Sequence, residues 1–316
     1  MKIAVLSFSF LKPKHLEKLR SFGEVIEYQS TNNAPDATER VKSIEIAIAD
    51  CWDVPMDKTF FESSPDLKYV SLNSTGFNQV DIEAAKAHGV AISNVPGYST
   101  EGVAEQTLGL MLAVARHIPK ANQEMMKAPF QIDPANRNHD VYQGVELRGK
   151  TLGVFGLGQI GLRVAELGNA LGMRVIGCTR SPKQMPNIEI VDFYTLLEES
   201  DFLAITSAFS AEMKGLFNEN TFSKMKPSAI LINTARGDFV EETALSNALK
   251  SNKIYGYGAD VLTDWSVNNP ILGMERVVLS PHSAFFTQES ADRLADSVIA
   301  NVEAYIQGKP INVITI

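Results

Sequence analysis

The sequence predicts an α/β protein of two doubly wound parallel-sheet domains. Two features carry that expectation: short apolar runs alternate with helical patterns along the whole chain, and the alternation is interrupted once by a Pro-Gly turn at Pro96-Gly97. Strands buried on both faces read as continuous apolar runs, as in a parallel sheet covered by helices on both sides. At 316 residues the chain is long for one core and fits two.

In order, the first series places strands at Ile3 to Phe8, Val25 to Tyr28, Ile44 to Ala49, Tyr69 to Leu72 and Val90 to Ser93. Asn94-Val95-Pro96-Gly97-Tyr98-Ser99 then breaks the pattern and marks the domain crossing. A long helix follows from about Thr100 to beyond His117. Its middle, Thr107 to Ala115, is apolar nearly all round and needs cover on several sides, from a domain or subunit interface. A polar loop from Ala128 to Gly149, containing Pro129, Pro134 and His139, leads to a strand at Thr151 to Phe155. Further strands are expected at Arg174 to Cys178, Phe202 to Thr206, Ala229 to Asn233, Tyr255 to Ala259 and Val277 to Leu279, with a last helix from about Gln288 to Tyr305.

Composition excludes several classes. With 45% hydrophobic and 21% charged residues the chain is ordinary for a globular protein, and no run is apolar enough to span a bilayer. Its first residues read as a strand without a cleavage site, so no export signal is expected. Cys51 and Cys178 lie far apart and give neither a disulfide framework nor a metal cluster, which suits a cytoplasmic protein without a metal. A net charge of -8 disfavours nucleic acid as a partner but leaves room for a local basic pocket around one phosphorylated ligand.

Gly156-Leu157-Gly158-Gln159-Ile160-Gly161 matches G-x-G-x-x-G directly after a strand and at the head of a helix, the context a Rossmann dinucleotide site requires. The first glycine allows the turn, the second lets backbone approach a pyrophosphate, and the third lets helix and strand pack closely. The helix N-terminus then offers free N–H groups to the phosphates.

Ligands of an open parallel sheet sit beyond the carboxyl ends of its strands. Arg236 follows one strand in Asn233-Thr234-Ala235-Arg236-Gly237, and His282 follows another in Ser280-Pro281-His282. Reduction of a 2-keto acid needs a cation for the carboxylate and ketone and an acid for the oxygen, tasks that suit guanidinium and imidazole. His282 is the one histidine of five placed directly after a buried strand. Thr206, Thr234 and Ala235 share the strand-end edge and are candidate cofactor contacts. Asp260 either receives a nicotinamide carboxamide or anchors its own loop, and Asp264 is the acid nearest in sequence to pair with His282. In the first series, the N–H groups of Thr75 and Gly76 are candidates for a substrate carboxylate. Trp52 either walls the side-chain pocket or belongs to the core.

Together these motifs resemble the D-isomer-specific 2-hydroxyacid dehydrogenases over nearly the whole chain, including Gly258-Ala259-Asp260-Val261 and the crossing segment Asn94 to Glu105. The resemblance, closest to glyoxylate and hydroxypyruvate reductases, implies a flavodoxin-like substrate domain at 1–97 and 288–316, a Rossmann cofactor domain at 98–287, and no regulatory domain after the last helix. It also implies a homodimer built partly on the long helix, substrate binding by Arg236 and proton donation by His282. One departure stands out: members carry a glutamate about five residues after the aspartate matched by Asp260, and here that position is Trp265, in a loop about two residues short. Either Asp264 takes the glutamate's role or the relay is absent. The chain is accordingly expected to be an active 2-keto acid reductase, the alternative being a non-catalytic relative that binds nucleotide or a partner.

The strand at 174–178 ends in Thr179-Arg180-Ser181, where an NAD-selecting protein carries an acid that bonds the ribose hydroxyls. A guanidinium between two hydroxyls suits a 2′-phosphate, so NADPH and NADP are expected ahead of NADH and NAD.

Overall fold

The computed structural model describes all residues except 8–9, 128–141, 182–183 and 316. Along the chain lie β1 (Lys2–Val5), α1 (Pro13–Arg20), β2 (Glu24–Glu27), α2 (Ala34–Arg40), β3 (Ile46–Ala49), α3 (Lys58–Glu62), β4 (Tyr69–Leu72), α4 (Ile82–Ala87) and β5 (Ala91–Ser93). Next come α5 (Thr100–Ala115), α6 (Ile118–Lys127), β6 (Thr151–Phe155), α7 (Gln159–Ala170), β7 (Arg174–Cys178), β8 (Glu189–Ile190), α8 (Phe193–Glu199) and β9 (Phe202–Ile205). The run closes with α9 (Glu219–Phe222), β10 (Ile230–Asn233), α10 (Glu242–Lys250), β11 (Gly256–Ala259), β12 (Val277–Leu279) and α11 (Gln288–Ile306). The chain divides into two compact units, Met1–Ser99 with Phe286–Ile316, and Thr100–Phe285.

In the first unit five parallel strands are ordered β2-β1-β3-β4-β5, the flavodoxin-like arrangement. Every residue of β3 and β4 is buried, which explains the unbroken apolar sequence of β3, while β4 carries one buried serine, Ser71. Asn33, Asp57 and Asp81 each accept a backbone N–H at the start of α2, α3 and α4, so the polar residues that open these helices fix where the chain turns. Helix α11 returns to this unit, and its Tyr305 ring stacks on Tyr69 with centroids 4.2 Å apart.

The second unit holds seven parallel strands ordered β12-β11-β10-β9-β6-β7-β8. The order reverses between β6 and β9, the switch point where such sheets bind ligands. Two cores cover the sheet, one holding Leu110, Met111 and Val114 of α5 with Val164 and Ala165 of α7, the other Leu196, Leu197, Phe222, Leu245 and Leu249.

Two points differ from the sequence expectations. The long helix stops at Ala115, because Pro119 lacks the N–H that a continuing helix would give to the Ala115 carbonyl. That carbonyl accepts from Val145 instead (3.0 Å), and His117 takes a left-handed conformation, φ 52°, with its ring bonded to the Tyr255 hydroxyl at 2.9 Å. The cover expected for α5 is met on one side by sheet and α7, and Leu112 on the helix stays 37% exposed. Strand β8, two residues at the sheet edge, is too short to leave a pattern. The expectation for Phe8, and most of the polar loop with Pro129, Pro134 and His139, fall outside the described residues.

Candidate active site

The glycine turn joins β6 to α7 as a nucleotide site requires. Gly156 sits at φ 100°, and a side chain there would meet the Ser207 backbone at 2.4 Å. A side chain at Gly161 would strike the Gly156 carbonyl oxygen at 1.9 Å, whereas one at Gly158 would meet open space. Two glycines thus permit the close turn and the third leaves it accessible. Gly158 caps the twelve-residue helix α7 without a side-chain hydrogen bond, leaving the first-turn N–H groups for a phosphate. Gln159 is exposed and Ile160 half-buried in that turn. Thr206 shapes the loop from below: its hydroxyl donates to the Gly156 carbonyl at 2.7 Å. The arrangement fits a dinucleotide, whose pyrophosphate residues 156–161 would hold. Beyond β7, Thr179 is half-buried and Arg180 and Ser181 are exposed. Arg163 and Arg174 are ion-paired, but Arg180 has no ion-pair partner among the described residues.

Arg236 stands three residues past Asn233, in a loop that its own strand end folds. Buried Asn233 at the end of β10 accepts from the Ala235 N–H (3.1 Å) and donates to the Arg236 carbonyl (2.8 Å). The Thr234 hydroxyl bonds that of Thr107 on α5 at 2.8 Å. Gly237 lets this loop lie against the Leu262–Thr263 backbone, where a side chain would come within 2.1 Å. The half-buried Arg236 side chain donates to the Ala235 carbonyl at 2.8 Å.

His282 lies beyond β12 at φ 54°, half-buried, with its N–H bonded to the Asp260 carbonyl at 2.9 Å. The Asp260 side chain, 1% exposed, is an anchor: its carboxylate accepts from the Ser280 hydroxyl, the Ser283 N–H (3.0 Å) and the Ala284 N–H (2.8 Å). Gln106 on α5 donates to Ser280 at 2.9 Å and extends this support. Of the two roles open to Asp260, the structure displays that of anchoring the loop that carries His282.

Burial holds the His282 imidazole below its ordinary range; Asp260 pulls it upward and the Arg236 charge pushes it down again. Arg236 and His282 therefore sense each other electrostatically from the ends of β10 and β12, strands flanking β11. Asp264, named from sequence as the partner of His282, instead accepts from the N–H and hydroxyl of Ser266 at 2.8 and 2.9 Å, so its carboxylate shapes its own shortened loop. Asp260 is an acid whose charge acts on His282. That loop is further gripped by buried Glu242, which accepts from Thr263 (2.8 Å) and Asn269 (2.9 Å).

A pH dependence follows. Reduction needs imidazolium, so a lowered His282 value makes kcat/KM for a keto acid fall as pH rises through a point below the ordinary imidazole value of about 6.5. Asp264→Asn is expected to leave that limb in place. A move to lower pH would return Asp264 to the role first assigned to it.

In the first unit, Thr75 and Gly76 form a turn beyond β4. Thr75 is exposed and Gly76 half-buried. The Thr75 hydroxyl donates to the Val95 carbonyl at 2.7 Å, and the Cys51 thiol approaches the Gly76 carbonyl at 3.3 Å. Trp52, next to Cys51, is 51% exposed, which removes it from the core.

Sequence reading missed the supporting residues Asn233, Ser280, Thr107 and Gln106. Asn233 and Ser280 lie inside the quoted motifs, and a polar residue ending a buried strand was the available signal. Nothing in the sequence marks Gln106, which acts across 174 positions.

Comparison with known proteins agrees with this geometry. The family model for the D-isomer specific 2-hydroxyacid dehydrogenase, NAD binding domain, matches residues 108–284. A hydroxypyruvate reductase of Blautia hydrogenotrophica is 31% identical over 99% of both chains. An acyclic imino acid reductase, solved with NADPH and D-Arg, is 35% identical with a TM-score of 0.90, covering 99% of this chain and all of that one. An NADPH-dependent glyoxylate/hydroxypyruvate reductase of Sinorhizobium meliloti, solved with NADP and malonate, is 27% identical with a TM-score of 0.82, covering 99% of this chain and 96% of that one. With the dinucleotide turn and the Arg236 and His282 loops in place, the chain belongs to the D-isomer specific 2-hydroxyacid dehydrogenase family.

Proposed function

We propose that this chain reduces a small 2-keto acid of the glyoxylate or hydroxypyruvate type with NADPH in preference to NADH. The observation that carries the reading is the pairing of Arg236 and His282 at the ends of β10 and β12, close enough for the guanidinium charge to act on the imidazole. Arg236 binds the substrate carboxylate and polarises the ketone, and His282 protonates the oxygen. The reduced nicotinamide supplies the hydride. Gly156 to Gly161 hold the pyrophosphate, Asp260 keeps the His282 loop in place, and the N–H groups of Thr75 and Gly76 receive carboxylate. A panel of 2-keto acids assayed by loss of 340 nm absorbance with each cofactor tests this; no turnover of any 2-keto acid would sink it and favour a non-catalytic binding protein.

Cofactor choice rests on Arg180, exposed and without an ion-pair partner among the described residues. A charge-assisted phosphate contact of about 1.5 to 3 kcal/mol gives a preference of about ten- to a hundred-fold in kcat/KM. Arg180→Ala is expected to erase most of it through NADPH alone. A cofactor ratio untouched by the substitution would remove Arg180 from the phosphate site.

A second reading, reduction of a 2-imino acid, is favoured by the lowered His282 value. An iminium brings its own proton and needs no acid. The imino acid reductase among the relatives makes pyruvate with methylamine at alkaline pH a direct assay. Amine-dependent oxidation of NADPH would favour this reading over the first. A cytoplasmic homodimer is proposed as the working form, to be checked by light scattering.

A further inference from the structure

We propose that Asn94, Asn301 and Asn312 are positioning residues for the substrate carboxylate, holding the Thr75–Gly76 turn so that its N–H groups face outward. The inference rests on the reading of that turn as a carboxylate receptor. A trans peptide points its carbonyl and its N–H in opposite directions, so fixing one aims the other. The Ser74 carbonyl accepts from the Val95 N–H at 2.9 Å, which sets the plane carrying the Thr75 N–H. The Thr75 carbonyl accepts from Asn94 Nδ2 at 2.7 Å, which sets the plane carrying the Gly76 N–H. Among the described residues neither N–H donates to another group of the protein. Successive N–H groups left open in this way form an anion-binding concavity.

Asn94 is itself held from both ends. Its carbonyl accepts from Asn301 Nδ2 at 2.9 Å, and its N–H donates to the Asn312 carbonyl at 3.2 Å. Asn301, fully buried on α11, has its remaining oxygen taken by Asn312 Nδ2 at 2.9 Å, which decides which way the Asn301 amide faces. Asn312 belongs to a tail laid antiparallel along the open edge of β5: Val313 bridges Ser93, and Ile314 donates to the Ile92 carbonyl at 2.8 Å. Residues more than 200 positions from the turn thus fix its direction. In a low-dielectric setting a half-satisfied amide is costly, so the three act as one unit.

The variants are Asn94→Ala, Asn301→Ala, their double, and Asn312→Gly. Asn312 stands at φ 55°, which glycine accepts freely, so that change removes only the side chain. The keto-acid KM is expected to rise about tenfold in Asn94→Ala and Asn301→Ala and about threefold in Asn312→Gly. The cofactor KM and kcat should stay within about twofold of the parent. The double variant should be worse than Asn94→Ala alone, because Asn301 holds the Asn94–Val95 peptide whose N–H fixes the Ser74 carbonyl, whereas the Asn94 side chain holds the Thr75 carbonyl. A lowered Tm with unmoved keto-acid KM, equal losses for cofactor and substrate, or a double variant no worse than Asn94→Ala would overturn the proposal. Oxamate binding, followed by tryptophan fluorescence, separates it from the reductase reading. If the parent turns over no 2-keto acid, weaker oxamate binding in Asn312→Gly still supports the network, and no binding by the parent defeats it.

Discussion

His282→Asn is expected to lower kcat for 2-keto acid reduction by about 10²- to 10⁴-fold, the usual worth of a positioned general acid. Asparagine is the informative replacement because His282 stands at φ 54°, a region asparagine tolerates better than other residues with side chains. The backbone contact that holds the loop, from its N–H to the Asp260 carbonyl, is unaffected by the change, as are the three bonds to the Asp260 carboxylate. Tm and cofactor affinity should therefore stay near parental values. If turnover remains within about tenfold of the parent, His282 is not the donor. The same variant separates the two substrate readings, since an iminium already carries its proton and its reduction should suffer less than that of the ketone.

The fold was legible because parallel strands buried on both faces leave continuous apolar runs, as in Ile46–Ala49 and Ile230–Ile232. What escaped depended on single atoms or long distances. The break at His117 follows from one missing N–H at Pro119, and β8 is too short for any periodicity. In the site, Gly156 and Gly161 could be assigned roles because local geometry demands glycine there. The anchoring of the His282 loop by Asp260 could not, because proximity along the chain drew attention to Asp264 whereas β11 and β12 lie side by side and bring Asp260 beneath that loop. The Asn94, Asn301 and Asn312 contacts join segments that no local pattern connects.

Arg236→Lys is expected to lower kcat/KM for a 2-keto acid by about a hundredfold or more while leaving stability nearly unchanged. Lysine keeps the charge but not the planar pair of donors, and two charge-assisted hydrogen bonds at about 1.5 to 3 kcal/mol each set the scale of the loss. Stability should hold because the loop is folded by Asn233, which accepts from the Ala235 N–H and donates to the Arg236 carbonyl. The pH profile separates geometry from charge. The Arg236 charge pushes His282 down, so Arg236→Lys should leave the basic limb of reduction near its parental position, and Arg236→Gln should move it to higher pH. A lysine variant with near-parental kcat/KM would show that Arg236 does not clamp the carboxylate through paired bonds. A glutamine variant with an unmoved limb would show that its charge does not reach His282.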